Sequence, residues 1–144
     1  VVCDPDHNPT YPPDFWNEQR EYPYDIAYVR WAGLGEAVRW ITQAGGVAVI
    51  AHPARYKFTP TVEYALFSEF VAHGGRGVEV ITGSHTAPEQ IAYGDTALEF
   101  GLLASRGSDF HSPEESRVDL GALPDLPGRL QPVWEALDAR VERA

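Results

Sequence analysis

From Leu34 onward, apolar residues at Leu34, Ala37, Val38 and Ile41 recur at helical spacing, and Gly45-Gly46 follows as a stop, which predicts a helix. Val47-Ala48-Val49-Ile50-Ala51 comes next, a continuous apolar run rich in β-branched residues and too short for a helix; it predicts a strand covered on both faces. The alternation then repeats. Thr61 to His73 carries Val62, Ala65, Leu66, Phe70 and Val71 at helical spacing and closes on Gly74-Gly75, and Gly77 to Thr82 reads as the next strand. Ala87 to Phe100, with Ile91, Leu98 and Phe100 apolar and Gly101 at its end, predicts a third helix, followed by a short strand at Leu102 to Ser105. Pro, Gly and acidic residues then dominate up to Gly128, and a last helix is expected from Pro132 to Arg143, with Pro132 in its first turn. Residues 1–26 hold five prolines and no sustained period, so they are expected to form an irregular N-terminal arm.

Helices alternating with strands predict an α/β fold of about three parallel strands joined by crossovers. In such sheets and barrels, chemistry gathers beyond the carboxyl ends of the strands. The segments after Ala51, Thr82 and Ser105 are therefore the places to search.

Bulk properties narrow the function. At 144 residues and 44% hydrophobic content the chain suits one domain with a sizeable core. Its formal charge of -10, without a basic stripe, argues against binding duplex DNA, whereas small phosphorylated substrates stay open because bound cations reverse the local field. Cys3 is the single cysteine, which gives no internal disulfide and no Cys-based zinc pattern and makes the cytoplasm the expected compartment. No apolar stretch is long enough to span a bilayer, so no membrane partner is expected. A start at Val1 and the absence of Met lead us to expect a fragment or a processed chain.

Two strand ends carry candidate chemistry. After the first strand, His52-Pro53-Ala54-Arg55 places an imidazole in a proline-fixed turn with a guanidinium three residues on, one possible metal ligand and one phosphate clamp. The alternative is a His donating to a backbone carbonyl, with Arg55 in a surface ion pair. After the third strand, Gly107-Ser108-Asp109-Phe110-His111 presents an Asp-x-His pair. In an extended segment both would face one site, with Phe110 turned into the core. Such pairs suit Zn, Mn or Fe; the alternative is an Asx-turn with an incidental His.

Other candidates rank lower. His85 also follows a strand end and could line the cleft, Glu79 could orient a ligand or be an edge residue, and His73 suits a helix C-terminus. Trp31, Trp40, Phe67 and Phe70 are expected to pack. Asp4-Pro5-Asp6-His7-Asn8 is not a calcium loop, because Pro9 replaces the required Gly and Phe15 the bidentate Glu. The chain holds no Gly-x-Ser-x-Gly and no phosphate-binding glycine loop ahead of a helix. A metal site is the best-supported chemistry.

Three segments together, Ala44 to Tyr56, Gly77-Val78-Glu79-Val80 and Ala104 to His111, resemble the PHP (polymerase and histidinol phosphatase) superfamily, within it the nucleoside-bisphosphate phosphatase and short-RNA 5'-exonuclease group. Asp119-Leu120-Gly121 and Pro132-Val133-Trp134-Glu135 look like that group's tail. The resemblance implies the C-terminal part of a distorted (β/α)7 barrel over residues 27–144, and hydrolysis of phosphate esters of nucleotides or short oligonucleotides. It also implies divalent cations, Mn²⁺ first and Zn²⁺, Fe²⁺ or Mg²⁺ as alternatives. By the same resemblance His52, Asp109 and His111 are metal ligands and Arg55 contacts the substrate phosphate, while no catalytic residue is assigned. Two features depart from the family: the chain lacks the His-x-His of the barrel's first strand, and Tyr28-Val29-Arg30-Trp31 has no His. An isolated chain of this kind is expected to be impaired, to self-associate or need the missing N-terminal half, or to serve as a non-catalytic interaction or assembly domain.

Overall fold

The computed structural model describes residues 32–138. The expected arm at residues 1–26, Trp31 and the end of the last helix lie outside the described residues. Within them the order is helix α1 (Leu34–Gln43), strand β1 (Val49–Ile50), a 3-10 turn (Pro53–Tyr56), α2 (Pro60–Ala72), β2 (Gly77–Thr82), α3 (Ala87–Glu99), β3 (Leu103–Gly107) and α4 (Glu135–Asp138). The three strands form one parallel sheet in the order β1-β2-β3. This is the α/β alternation read from the sequence. No described helix is long and apolar enough to cross a membrane.

Local chemistry sets the boundaries. α2 and α3 each carry proline in the first turn, where the missing N–H costs nothing. At the start of α3, Glu89 accepts hydrogen bonds from the Thr86 N–H at 2.6 Å and the Thr86 hydroxyl at 2.7 Å. These bonds hold the Glu89 carboxyl below its ordinary pKa. Glycines at positive φ, Gly45, Gly74 and Gly101, follow α1, α2 and α3. Pro132 departs from expectation: it forms a parallel bridge to Ala104, with Ala104 N–H donating to the Gln131 carbonyl and Val133 N–H to that of Ala104, both at 2.8 Å. Residues 131–133 thus flank β3, and helix begins only at Glu135.

The core joins both layers. Phe67 and Phe70 from α2, Val38 from α1, Val78, Val80 and Ile81 from β2, and Tyr93 and Ala97 from α3 are all buried in one cluster. Several apolar positions of the expected pattern are exposed, among them Trp40, Ile91 and Leu98 at 58%, 62% and 51%. On α3 the reason is steric. Tyr93, Gly94 and Ala97 form the inward face, and the missing side chain at Gly94 admits Arg129, Leu130 and Val80 within 4 Å of where a Cβ would stand, leaving Ile91 and Leu98 on the outside. On α2, Leu66, Phe67 and Phe70 face inward while Val62 and Val71 are exposed. His73, after α2, packs against Gly35 of α1 and sits 3.6 Å from Glu69.

Candidate functional site

Parallel strands bring the carboxyl ends of β1, β2 and β3 side by side, and the sequence candidates sit there. After β1, His52 adopts a left-handed conformation with φ 31°, and its side chain is buried at 7% exposure. Its Nδ1 is buried without a hydrogen-bond partner. An unsatisfied buried nitrogen costs roughly 1–3 kcal/mol, a cost that a bound ligand would remove. The Nδ1 therefore does not make the backbone bond offered as the alternative for His52.

After β3 the chain does not stay extended. Asp109 has φ 53°, so the same-face argument for Asp109 and His111 does not hold there. A turn brings them together instead: His111 Nδ1 lies 2.9 Å from the Asp109 carbonyl and 4.0 Å from its Oδ1. Ser116 Oγ accepts the His111 N–H at 2.8 Å, and the His111 side chain is exposed. Phe110 is only partly buried and lies outside the core cluster. Arg55 Nη1 donates to Asp109 Oδ2 at 3.1 Å, joining the turn after β1 to the segment after β3. Nothing local foretells that pair, since 54 positions separate its members.

β2 lies between these two segments, so Glu79 is on the central strand and not at an edge. Its Oε2 accepts the His52 N–H at 2.7 Å. Burial pushes the Glu79 carboxyl up to about 7; the His52 N–H pulls the other way, and the Asp109 charge adds to the rise. His85 is buried too, with Nδ1 3.0 Å from the Val80 carbonyl and Nε2 accepting the Ala54 N–H at 3.4 Å. The carbonyl contact makes Nδ1 the protonated nitrogen, and burial lowers the pKa of the ring, so His85 is a neutral imidazole. Both of its nitrogens are engaged by main chain, which makes it a brace within the cleft. Val80 lies where the β2–β3 register shifts, an irregularity invisible in the apolar pattern.

Among the described residues, no three His, Cys, Asp or Glu side chains converge closely enough to hold a metal ion. The donors nevertheless suit part of a divalent-cation site: an unpartnered imidazole nitrogen at His52, a carboxylate at Asp109 and an exposed imidazole at His111. Arg55 is at present occupied by Asp109.

No family model matches the chain. It is 46% identical over 114 residues to a 3',5'-nucleoside bisphosphate phosphatase from Chromobacterium violaceum, a match covering 79% of this chain and 40% of that protein. It is 40% identical over 105 residues to a 5'-3' exoribonuclease from Haemophilus influenzae, covering 73% of this chain and 38% of the relative. Among solved structures, an amidohydrolase from Chromobacterium violaceum with bound sulfate and no metal superposes with a TM-score of 0.73 at 46% identity, over 81% of this chain and 40% of that one. The matched stretch thus spans about two-fifths of the length of these relatives. Over that stretch the chain is similar, in sequence and in fold, to enzymes named for hydrolysing phosphate esters, in line with the resemblance of its strand-end motifs.

Proposed function

We propose that this chain supplies part of the active centre of a metal-dependent phosphoesterase acting on nucleotides or short oligonucleotides. The observation that carries the proposal is the meeting of two strand-end segments, sealed by the 3.1 Å bond between Arg55 and Asp109, beside a buried His52 Nδ1 that has no partner. His52, Asp109 and His111 would hold divalent cations, Mn²⁺ first and Zn²⁺, Fe²⁺ or Mg²⁺ as alternatives. Such ions lower the pKa of a bound water and neutralise charge on phosphoryl oxygens.

The chain's own groups do the positioning. His52 is fixed by its strained turn, so its ring needs little reorganisation to accept a ligand. Arg55 presents a planar donor fork suited to a phosphate, and its contact with Asp109 keeps that fork at the cleft. The names of the relatives support a phosphorylated nucleoside or short RNA as substrate, and the lone Cys3 supports the cytoplasm as location.

The test pairs metal content with catalysis in the complete protein that contains this stretch. After stripping and reloading with Mn²⁺, His52→Ala and Asp109→Ala are expected to lose bound metal and to lower kcat/KM for a 3',5'-nucleoside bisphosphate by about a hundredfold or more. Unchanged metal content and unchanged turnover in both variants would defeat the proposal. A non-catalytic assembly domain is the second reading, favoured by the apolar outer faces of α2 and α3. It predicts that unchanged outcome.

A further inference from the structure

β2 and the turn that follows it touch both segments that carry the candidate ligands. Glu79 Oε2 accepts the His52 N–H at 2.7 Å, while Glu79 Oε1 lies 2.9 Å from where a Cβ on Gly107 would stand. One carboxylate therefore spans from the turn after β1 to the last residue of β3. A Cβ at position 107 would press on that oxygen and make the carboxylate shift. Two further contacts repeat the arrangement. His85 Nε2 accepts the Ala54 N–H at 3.4 Å, and a Cβ on Gly83 would collide with the Ser108 carbonyl oxygen.

The hydrogen bond at His52 has particular weight, because that residue holds a positive φ without being glycine. A non-glycine residue in that region costs about 1–3 kcal/mol and persists only where its surroundings over-determine it. A hydrogen bond to a carboxylate is among the stronger available constraints. It acts on the main chain of the same residue whose Nδ1 is buried and unpartnered.

We propose that Glu79 is a positioning residue for the His52 ligand: its carboxylate fixes the His52 main chain and sets the spacing between the His52 turn and the Gly107–Asp109 segment. The proposal rests on a divalent cation binding at His52. Glu79 acts as a hydrogen-bond acceptor of fixed length, with His85 as a second brace on the same turn.

Cobalt titration of the complete protein, followed by the visible absorption of bound Co²⁺ and accompanied by thermal melts, tests it. Glu79→Ala is expected to weaken Co²⁺ binding about 10–100-fold and to alter the band shape. Glu79→Gln keeps an acceptor oxygen and is expected to stay within about threefold of wild type. Gly107→Ala retains the carboxylate but displaces it, and is also expected to weaken binding; it carries the test if Glu79→Ala does not fold. The proposal is overturned if Glu79→Ala binds Co²⁺ like wild type while His52→Ala does not. It is equally overturned if Glu79→Gln falls as far as Glu79→Ala, since charge and not the acceptor would then matter. If His52→Ala itself binds like wild type, the underlying metal assignment fails, and the role of Glu79 with it.

Discussion

Glu79 is a carboxyl whose ionised form the fold disfavours, chiefly through burial. Its folded pKa of about 7 lies above the ordinary 4.5, so the folded chain holds this proton more tightly than the unfolded chain does. Stability from this group is therefore greatest in acid, falls as pH rises through the interval between those two values, and reaches its full penalty above the folded pKa. In metal-free buffer, Glu79→Gln should be more stable than wild type at about pH 8, by on the order of 3 kcal/mol, and nearly equal to it at about pH 4. Urea unfolding at both pH values checks this, and a pH-independent difference would refute it. Gly83 gives a second residue-scale expectation. Gly83→Ala drives a Cβ into the Ser108 carbonyl, so the segment bearing Asp109 must shift. A loss of about 1–3 kcal/mol is expected, together with faster amide exchange around Ser108 and Asp109.

At the level of elements, the sheet is held by helices whose inward faces are narrow. Phe67 is fully buried in α2, so Phe67→Ala should cost about 3–5 kcal/mol, read as a lowered denaturation midpoint with little change in slope. Element type and order were legible because glycine stops and short β-branched runs are local signals, and β2 begins and ends where its apolar pattern does. Facing was less legible. Apolar residues stand on more than one side of α2 and α3, and the small inward residues Gly94 and Ala97, which choose the face, leave no hydrophobic mark. The candidate site was legible only as positions just past strand ends. What binds those positions together depends on residues far apart in sequence, such as Arg55 with Asp109 and Glu79 with His52, and on backbone turns that periodicity does not encode. Pro132 was misplaced for a similar reason, since the partner that draws it into a bridge is Ala104.

For the molecule as a whole, the two sides of the sheet differ. β3 is flanked by residues 131–133, whereas among the described residues β1 has β2 as its one strand neighbour. Trp40, Tyr64, Ile91 and Leu98 add apolar surface on the helices. The isolated chain is therefore expected to self-associate at rising concentration. Sedimentation should show this, with Ile91→Lys and Leu98→Lys together shifting the distribution toward monomer; a strictly monomeric wild type would exclude it. The left-handed backbones of His52 and Asp109 bear on the molecule in another way. Glycine at either position would relieve about 1 kcal/mol of backbone strain, at the loss of a buried ring at His52 or of the Arg55 ion pair at Asp109, and of the proposed ligand in both cases. Folding and chemistry thus pull in opposite directions at these two residues. On the proposed ligand roles, relief of backbone strain and affinity for a cation are traded against each other at these two residues.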